Sequence, residues 1–470
     1  MIGLQELNLC YKYPIIYWNT ANLIVDSGSL EGNEDDKTKS TNYGKIGTAI
    51  AKIQNSGTEV GYPIINTADF GFKPDVANNK ILYALKSING IGDDAAKLII
   101  ENRPYSDFSD FCTRMIDTKL IKNSQMIKLI KAGAFTEFEP NIASTMSLYL
   151  EKYCFEKTEK LTMQQFNTIN EMGIIPEHLK ATVKLGEFKK YVLHKDGFFC
   201  NWVDPNSKRA LPKCGYNDKF YKLDNNSQPF FEKEFTEEEK KEMVTGLDEE
   251  FYLISEKKFK KIIDNKLTEL KNWLAKEETL KLYNDTKLQE VVNNNATGTI
   301  SAWEMEALSF YHTKHELADI NAKKYCIKNY KDLPEEPEVY DYYTRTIDEK
   351  KLKFPKFKIV RIAGTILDTN KDKHTITLLC HNNEVVNCKL NKGQYVHYAK
   401  TISEIQDNGK KKTIEKPWIK RGNKIMLCGY RQGEQFRVYK YTDTIFQHTL
   451  TKIENVYSDG TVELLNERAR

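Results

Sequence analysis

Apolar positions follow two periods along this chain. Tyr11, Tyr13, Ile15, Ile16, Tyr17, Trp18, Leu23, Ile24 and Val25 crowd the stretch from Leu4 to Ser29, which predicts one or two buried helices. Gly32 to Tyr43 is acidic, then Lys-rich, and reads as a loop. Tyr43–Ile53 has helical spacing, and Gly61–Asn66 reads as a short extended piece. Ile81, Leu82, Ala84, Leu85 and Ile88 then lead into Gly90-Ile91-Gly92. Ala95, Ala96, Leu98, Ile99 and Ile100 leave it at helical spacing. Helical patterns return over Asn141–Thr158, Met163–Glu171 and Glu237–Thr286, the last rich in Lys and Glu at i,i+4. From Phe357 the pattern changes to short β-like runs, Lys358–Leu367, Lys373–Leu379, Glu384–Leu390, Lys424–Tyr430 and Gln435–Tyr441, separated by polar turns. Five strands with a helix-like insert (Asn391–Glu404) between the third and fourth predict an OB-like barrel. The expected fold class is multidomain α+β: a mostly helical N-terminal part, a helical middle and a C-terminal five-stranded β-barrel.

Composition narrows the class. At 470 residues with 40% hydrophobic and 29% charged side chains, the chain has material for two to four domains. A net charge of +4 is too mild for a polycation, so any nucleic-acid site must rest on local clusters. Nine scattered cysteines without a Cys-x-x-Cys fit free thiols in a reducing compartment. With no signal pattern and no bilayer-length apolar run, a cytoplasmic location is expected, and no membrane partner.

Gly90-Ile91-Gly92 is the first candidate site. Two glycines around one apolar residue allow a tight turn and a close backbone approach. Asp93 and Asp94 mark a helix start, whose free N–H groups suit a phosphate oxygen. This is a helix-hairpin-helix arrangement, which holds a nucleic-acid backbone through main-chain donors without reading bases. Its candidate DNA contacts are Lys86, Asn89, Gly90, Ile91, Gly92, Lys97 and Arg103. The bland alternative is an ordinary helix–Gly–helix turn. Lys122–Phe135 reads as a second, degenerate hairpin unit, which makes the arrangement tandem.

The second candidate is a basic loop interleaved with an aromatic, Lys410-Lys411-Lys412 with Lys416, Trp418, Lys420 and Arg421. With Tyr395 it has the composition of a single-strand site, cations on the backbone and rings under bases. A solvated loop beside a core Trp is the competing reading. Other patterns fail on spacing. Gly44-Lys45-Ile46-Gly47 lacks the phosphate-loop frame. His194, Cys200 and Cys214 lack paired zinc spacing. Lys195-Asp196-Gly197 lacks the intervening residue of a ligase nucleophile motif. His312 and His315 read as packing residues, because no further ligand cluster lies nearby.

The run "ILYALKSINGIGDDAAKLIIENRPYSDFSDFCTRM", followed by "LIKAGAF", resembles the tandem hairpin domain of the bacterial DNA polymerase III alpha subunit, the C family of DNA polymerases. "CYKYPIIYWNTANLIVDSGSLEG" resembles the end of that family's fingers region, and "EMEALSFYHTKHEL" its segment ahead of the terminal barrel, with Glu316 where the family has Pro. "IAGTILDT", "VVNCKLNKGQYVHYAK" and "KPWIKRGNKIMLCGYRQGEQFRVYKY" resemble its OB domain. The resemblance covers residues 4–138 and 300–450. It implies the end of the fingers at 1–60, tandem hairpins at 61–138, a mainly helical insert at 139–300, a connector at 301–356 (with a linker over Lys331–Asp341), an OB barrel at 357–445, and a C-terminal hairpin and tail at 446–470.

The resemblance further implies duplex and single-stranded DNA as partners, held by the hairpins and the barrel. No Asp-x-Asp on an apolar strand exists to hold paired Mg²⁺ ions, and no cofactor is expected in this chain. The palm, its Mg²⁺ and the PHP phosphoesterase domain would come from an N-terminal polymerase chain, with a sliding clamp as a further partner, in the cytoplasm of a bacterial or phage-infected cell, at the nucleoid. Met1 then falls inside a domain that is continuous in full-length relatives, which suggests a divided polymerase of phage or mobile-element origin. Two rivals are a stand-alone DNA-binding accessory of replication, repair or recombination, and a DNA ligase. The ligase is disfavoured because the barrel follows the hairpins and no adenylation lysine motif is present.

Overall fold

A computed structural model describes residues 8, 11–29, 41–163, 165–195, 198–199, 219–248, 250–347, 350–406, 410–439, 449–466 and 468. Most of the predicted loop after Gly32, Cys200, Cys214, the Asp196-Gly197 pair and Tyr441 lie outside them. The chain forms two units, one from residues 1–149 with 295–470 and one from residues 150–294.

The first unit begins with α1 (Ile15–Ser27) and α2 (Tyr43–Asn55). A small sheet follows, β1 (Glu59–Val60), β2 (Lys73–Asp75) and β3 (Lys80–Leu82), with β3 in the centre. The hairpin region comprises α3 (Asp93–Glu101), α4 (Phe108–Cys112) with a π turn to Asp117, and α5 (Asn123–Lys131). Helix α6 (Ile142–Tyr149) closes the N-terminal segment. The chain returns with α7 (Ile300–Leu308).

Aromatic residues of the "SDFSDF" and "AGAF" segments build this region's core. Phe108 and Phe111 each meet the Phe135 ring edge-on at 5.0 Å. Asp107 caps α4 by accepting from the Asp110 N–H at 2.8 Å. Arg114 lies over Tyr105 and donates to the Asn102 and Pro104 carbonyls.

The barrel starts after a two-stranded hairpin, β4 (Val339–Ile347) and β5 (Lys350–Phe357), in the region read as connector and linker. Its strands are β6 (Val360–Asn370), β7 (Thr375–Cys380), β8 (Val385–Lys389), β11 (Lys424–Gln432) and β12 (Gln435–Val438). Between β8 and β11 lie α8 (Lys392–Ala399) and a small hairpin, β9 (Ile402–Ile405) with β10 (Lys411–Glu415). Neighbours pair in the order β6, β7, β8, β12, β11, and β11 returns to β6 to close the barrel; the β8–β12 pair is parallel and the others antiparallel. This is a closed five-stranded OB-like barrel, as the strand pattern predicts. Ile362, Ile376, Leu378, Leu427, Phe436 and Trp418 fill it. The helix predicted over Asn391–Glu404 stops at Ala399, because β-branched Thr401 and Ile402 enter the small hairpin. β13 (Leu450–Val456) and β14 (Val462–Leu465) extend the sheet past β11.

Helix α2 lies on the barrel through its glycines. A Cβ on Gly44 would collide with the Asp368 carboxylate, and one on Gly47 would sit 2.5 Å from the Ser309 carbonyl oxygen. Glycines that mimic a phosphate loop in sequence are packing points.

The second unit is less helical than its Lys/Glu pattern predicts. Helices Glu237–Met243, Glu256–Lys266, Thr268–Leu274 and Glu277–Asn295 are interrupted by the antiparallel strands Val244–Asp248 and Phe251–Ser255. These belong to a four-stranded sheet with Lys219–Lys222 and Phe198–Phe199. Val244, Thr245, Phe251, Tyr252 and Ile254 favour strand locally, a preference that the surrounding charge periodicity masks. Phe231, Phe259, Ile263 and Leu270 are among its core residues.

Among the described residues six cysteines are free thiols, and no helix is long and apolar enough to cross a membrane.

Candidate nucleic-acid interface

The first hairpin turn presents backbone. Gly90 has φ +94°, a conformation that side chains oppose, and Gly92 is the N-cap of α3 with no side-chain cap. Both glycines are exposed, while Ile91 between them is 3% exposed and anchors the turn in the core. The first-turn N–H groups of α3 have no intrahelical acceptor. They are open backbone donors at the turn.

The flanking side chains mostly do something else. Lys86 is buried, donates to the Gly28 carbonyl at 2.9 Å and pairs with Asp93 at 3.2 Å. Arg103 donates to the Ala68 carbonyl, and its burial lowers its pKa. Asn89 ties the turn to α7: its N–H donates to Ala307 O at 2.8 Å and its amide to Glu306 O at 3.1 Å. These three are corrections to the expected contacts, because each polar head already bonds a carbonyl or carboxylate inside the protein. Lys97 is exposed, over the Phe70 ring, and keeps its charge at the surface.

The second hairpin turn matches the first in construction. Ile121 is 2% exposed, like Ile91, and Lys122 N-caps α5 as Gly92 N-caps α3. Lys119 has φ +61°, and Thr118, Lys119 and Lys122 are exposed. Two lysines therefore flank this turn; Lys122 opens the segment read as the second hairpin unit, but neither was picked as a DNA contact because no glycine marks the turn. The only sequence signal is the Lys-Leu-Ile-Lys spacing ahead of the α5 run.

Helix α7 fastens both turns. Glu306 bonds Lys128 and Lys131; against its burial, these hydrogen bonds hold its carboxyl below the usual range. Glu304 is fully buried and accepts from the Tyr62 hydroxyl at 2.6 Å, the His312 and Thr313 N–H groups at 3.0 Å, and the Thr313 hydroxyl at 2.9 Å. His312 stacks on Tyr62 with centroids 3.7 Å apart. His315 accepts from the Leu317 N–H at Nδ1 and faces the Leu379 carbonyl at Nε2. The two histidines are packing residues, as their isolation predicts.

The basic loop of the barrel divides. Lys412, Lys416 and Lys420 are exposed. Trp418 is fully buried against Tyr398, and Tyr395 is 5% exposed. Neither ring faces a base, because closing the barrel draws both into its core. Arg421 bonds the Ser309 hydroxyl and lies over the Tyr43 ring. Its charge is turned inward.

Comparison with known proteins bears on what these turns hold. A helix-hairpin-helix motif family model matches residues 57–144. The chain is 40% identical over its full length to the probable DNA polymerase YorL of Bacillus subtilis, and equally to a DNA-directed DNA polymerase of Bacillus phage SPbeta. Over its whole length this chain is similar to the C-terminal third of these two proteins. It spans about a third, 34%, of the length of these relatives. The DNA polymerase III alpha subunit of B. subtilis matches at 31% identity over 150 residues, 31% of this chain and 12% of that protein. The resemblance read from motifs thus holds, and the full-length matches extend it through residues 139–300, where the alpha-subunit pattern fades.

Proposed function

We propose that these residues grip DNA for a DNA polymerase. The two hairpin turns hold the backbone of duplex product, and the barrel guides single-stranded template. The full-length match to a DNA-directed DNA polymerase carries this reading. Two similarly built turns, with exposed Gly90, Gly92 and Lys97 on one and Lys119 and Lys122 on the other, suit a sequence-independent hold.

The carboxylates for in-line nucleotidyl transfer, with their Mg²⁺ ions, come from outside residues 1–470, on another chain carrying palm and PHP domains. A sliding clamp and the cytoplasm of a bacterial or phage-infected cell complete the setting. The surface of α1 favours a polymerase component over a self-contained accessory. Ile15, Tyr17, Trp18 and Val25 are 40–55% exposed, and Tyr11 ahead of them is 93% exposed. Large apolar side chains grouped on a surface mark an interaction site.

Primer extension tests the reading, with this chain alone and mixed with a candidate palm-bearing chain from the same genome. Extension confined to the mixture, and lost on substitution in the hairpin turns, supports it. Salt-sensitive DNA binding without extension in any mixture would move the assignment to the accessory protein.

A further inference from the structure

A groove of about 580 Å³ runs between the β4–β5 hairpin and the barrel. Tyr343 and Pro355 wall it on the hairpin side, and Lys389, Tyr430, Arg437 and Tyr439 on the barrel side. Its volume lies in the range that takes a small ligand or one repeating unit of a polymer. Among the described residues no carboxylate lines it. By contrast, Asp332 and Glu338 line the cavity on the other side of Tyr430, and Glu171 and Glu187 line one in the second unit.

Two observations identify an occupant. The groove carries rings and cations together. Tyr343 is 45% exposed and stacks on Phe354 across the hairpin with centroids 5.6 Å apart, which leaves its other face open. Phe357 packs against Tyr430 at 4.7 Å, fixing that ring in the wall. Arg437 is exposed on β12. Lys356 shares its charge with Asp341 at 2.6 Å and the Lys389 ammonium bonds the Lys373 carbonyl, so Arg437 is the lining cation that faces a ligand.

We infer that this groove is a single-stranded DNA site: Tyr343 and Tyr430 stack bases, and Arg437 holds a phosphate. Aromatic faces between backbone-tracking cations are the recurrent device for holding single strands without sequence preference. The inference rests on the proposed template-guiding role of the barrel and moves it from the Lys412–Arg421 loop to the hairpin side. There the rings are reachable, whereas Trp418 is not.

The test is fluorescence anisotropy of the full chain with a labelled oligothymidylate and with a labelled duplex, over a salt series. Arg437→Ala and Tyr343→Ala are the variants, each with its thermal melt recorded; both side chains are exposed, so the fold should hold. Each should weaken oligothymidylate binding by about 10-fold and leave duplex binding unchanged. Arg437→Ala should also lower the salt slope for the single strand by about 0.7. Wild-type binding to oligothymidylate that both variants retain would overturn the groove and leave the template-guiding role standing. No wild-type binding even at low salt would overturn both. A photoreactive oligothymidylate cross-linked to Tyr343 or Tyr430 and located by mass spectrometry supports the site; cross-links confined to Lys410–Arg421 overturn it.

Discussion

The Arg421 guanidinium of the barrel lies 4.7 Å from the centroid of the Tyr43 ring at the start of α2. The Gly90 backbone opposes the rise that burial imposes on the Tyr43 hydroxyl's pKa, so it lies beside that hydroxyl. The cation–π contact thus joins the barrel to the residue that borders the first hairpin turn. A residue selected from sequence as a DNA contact instead sets the position of another candidate contact. Replacing Arg421 with Gln should cost about 1–3 kcal/mol, from a partly buried cation–π contact and the Ser309 hydrogen bond. Chemical denaturation reads that loss. Duplex affinity should fall with it, although Arg421 touches no DNA in this reading.

The two glycines of the first turn should behave differently. Gly90 needs φ +94°, so Gly90→Ala should destabilise by about 1–3 kcal/mol. A Cβ on Gly92 meets nothing within 4 Å and its φ is −84°. Gly92→Leu should therefore melt like the parent and still lose duplex binding, because the side chain blocks backbone approach. Retained affinity in a folded Gly92→Leu protein would remove this turn from the interface.

Asp94 opposes the function assigned to the turn. It is exposed in the first turn of α3, and unlike Asp93 it pairs with no lysine among the described residues. Asp94→Asn should tighten duplex binding at low salt, since a carboxylate competes with a phosphate for the same N–H groups. It should also cost the helix about 0.3–1 kcal/mol of dipole stabilisation. A gain in affinity with a loss in stability is a pairing that a purely structural role for this turn does not produce.

Lys119 separates charge from fold at the second turn. With φ +61° it occupies a conformation that glycine adopts without strain. Lys119→Gly should hold or raise the melting temperature. The slope of log K against log salt on duplex DNA should fall by about 0.9 if the lysine neutralises one phosphate. An unchanged slope would place the second turn off the DNA.

What could be read from residue order depended on how local each feature is. Gly90-Ile91-Gly92 marks its own turn, and the five barrel strands carry period-2 alternation, so both were legible. Lys86 and Arg103 were misread because their acceptors, the Gly28 and Ala68 carbonyls, lie 58 and 35 residues away. Trp418 stands among lysines in sequence, yet Tyr398 and barrel closure bury it. The β4–β5 hairpin was hidden because Pro334, Pro337 and a run of Glu suggest a linker up to the first strand residues. Lys119 left only the weak Lys-Leu-Ile-Lys spacing, since a lysine seldom marks a left-handed turn.

The last prediction concerns acid stability. Burial pushes the His315 pKa down from 6.5 to about 3, with the nearby His381 and Lys424 acting in the same direction and the Leu379 hydrogen bond against it. The hydrogen bonds fix the neutral form: Nδ1 accepts from Leu317, so Nε2 carries the hydrogen and donates to Leu379. A second proton would have to enter at Nδ1, facing an N–H. The unfolded chain therefore binds a proton near pH 6.5 that the folded chain refuses until about pH 3. This contribution to stability is full above 6.5 and is lost progressively as pH falls towards 3. His312, His381 and His397 are also lowered by burial and add to the slope in the same direction. Carboxylates titrate mainly below about pH 5, so the interval from pH 6.5 to about 5 isolates the histidines. Unfolding free energy should fall across that interval in the parent. His315→Gln, which keeps an acceptor and a donor but cannot ionise, should start less stable at pH 8 and show a shallower slope. An equal slope in both proteins would mean that His315 is accessible to protons in the folded state.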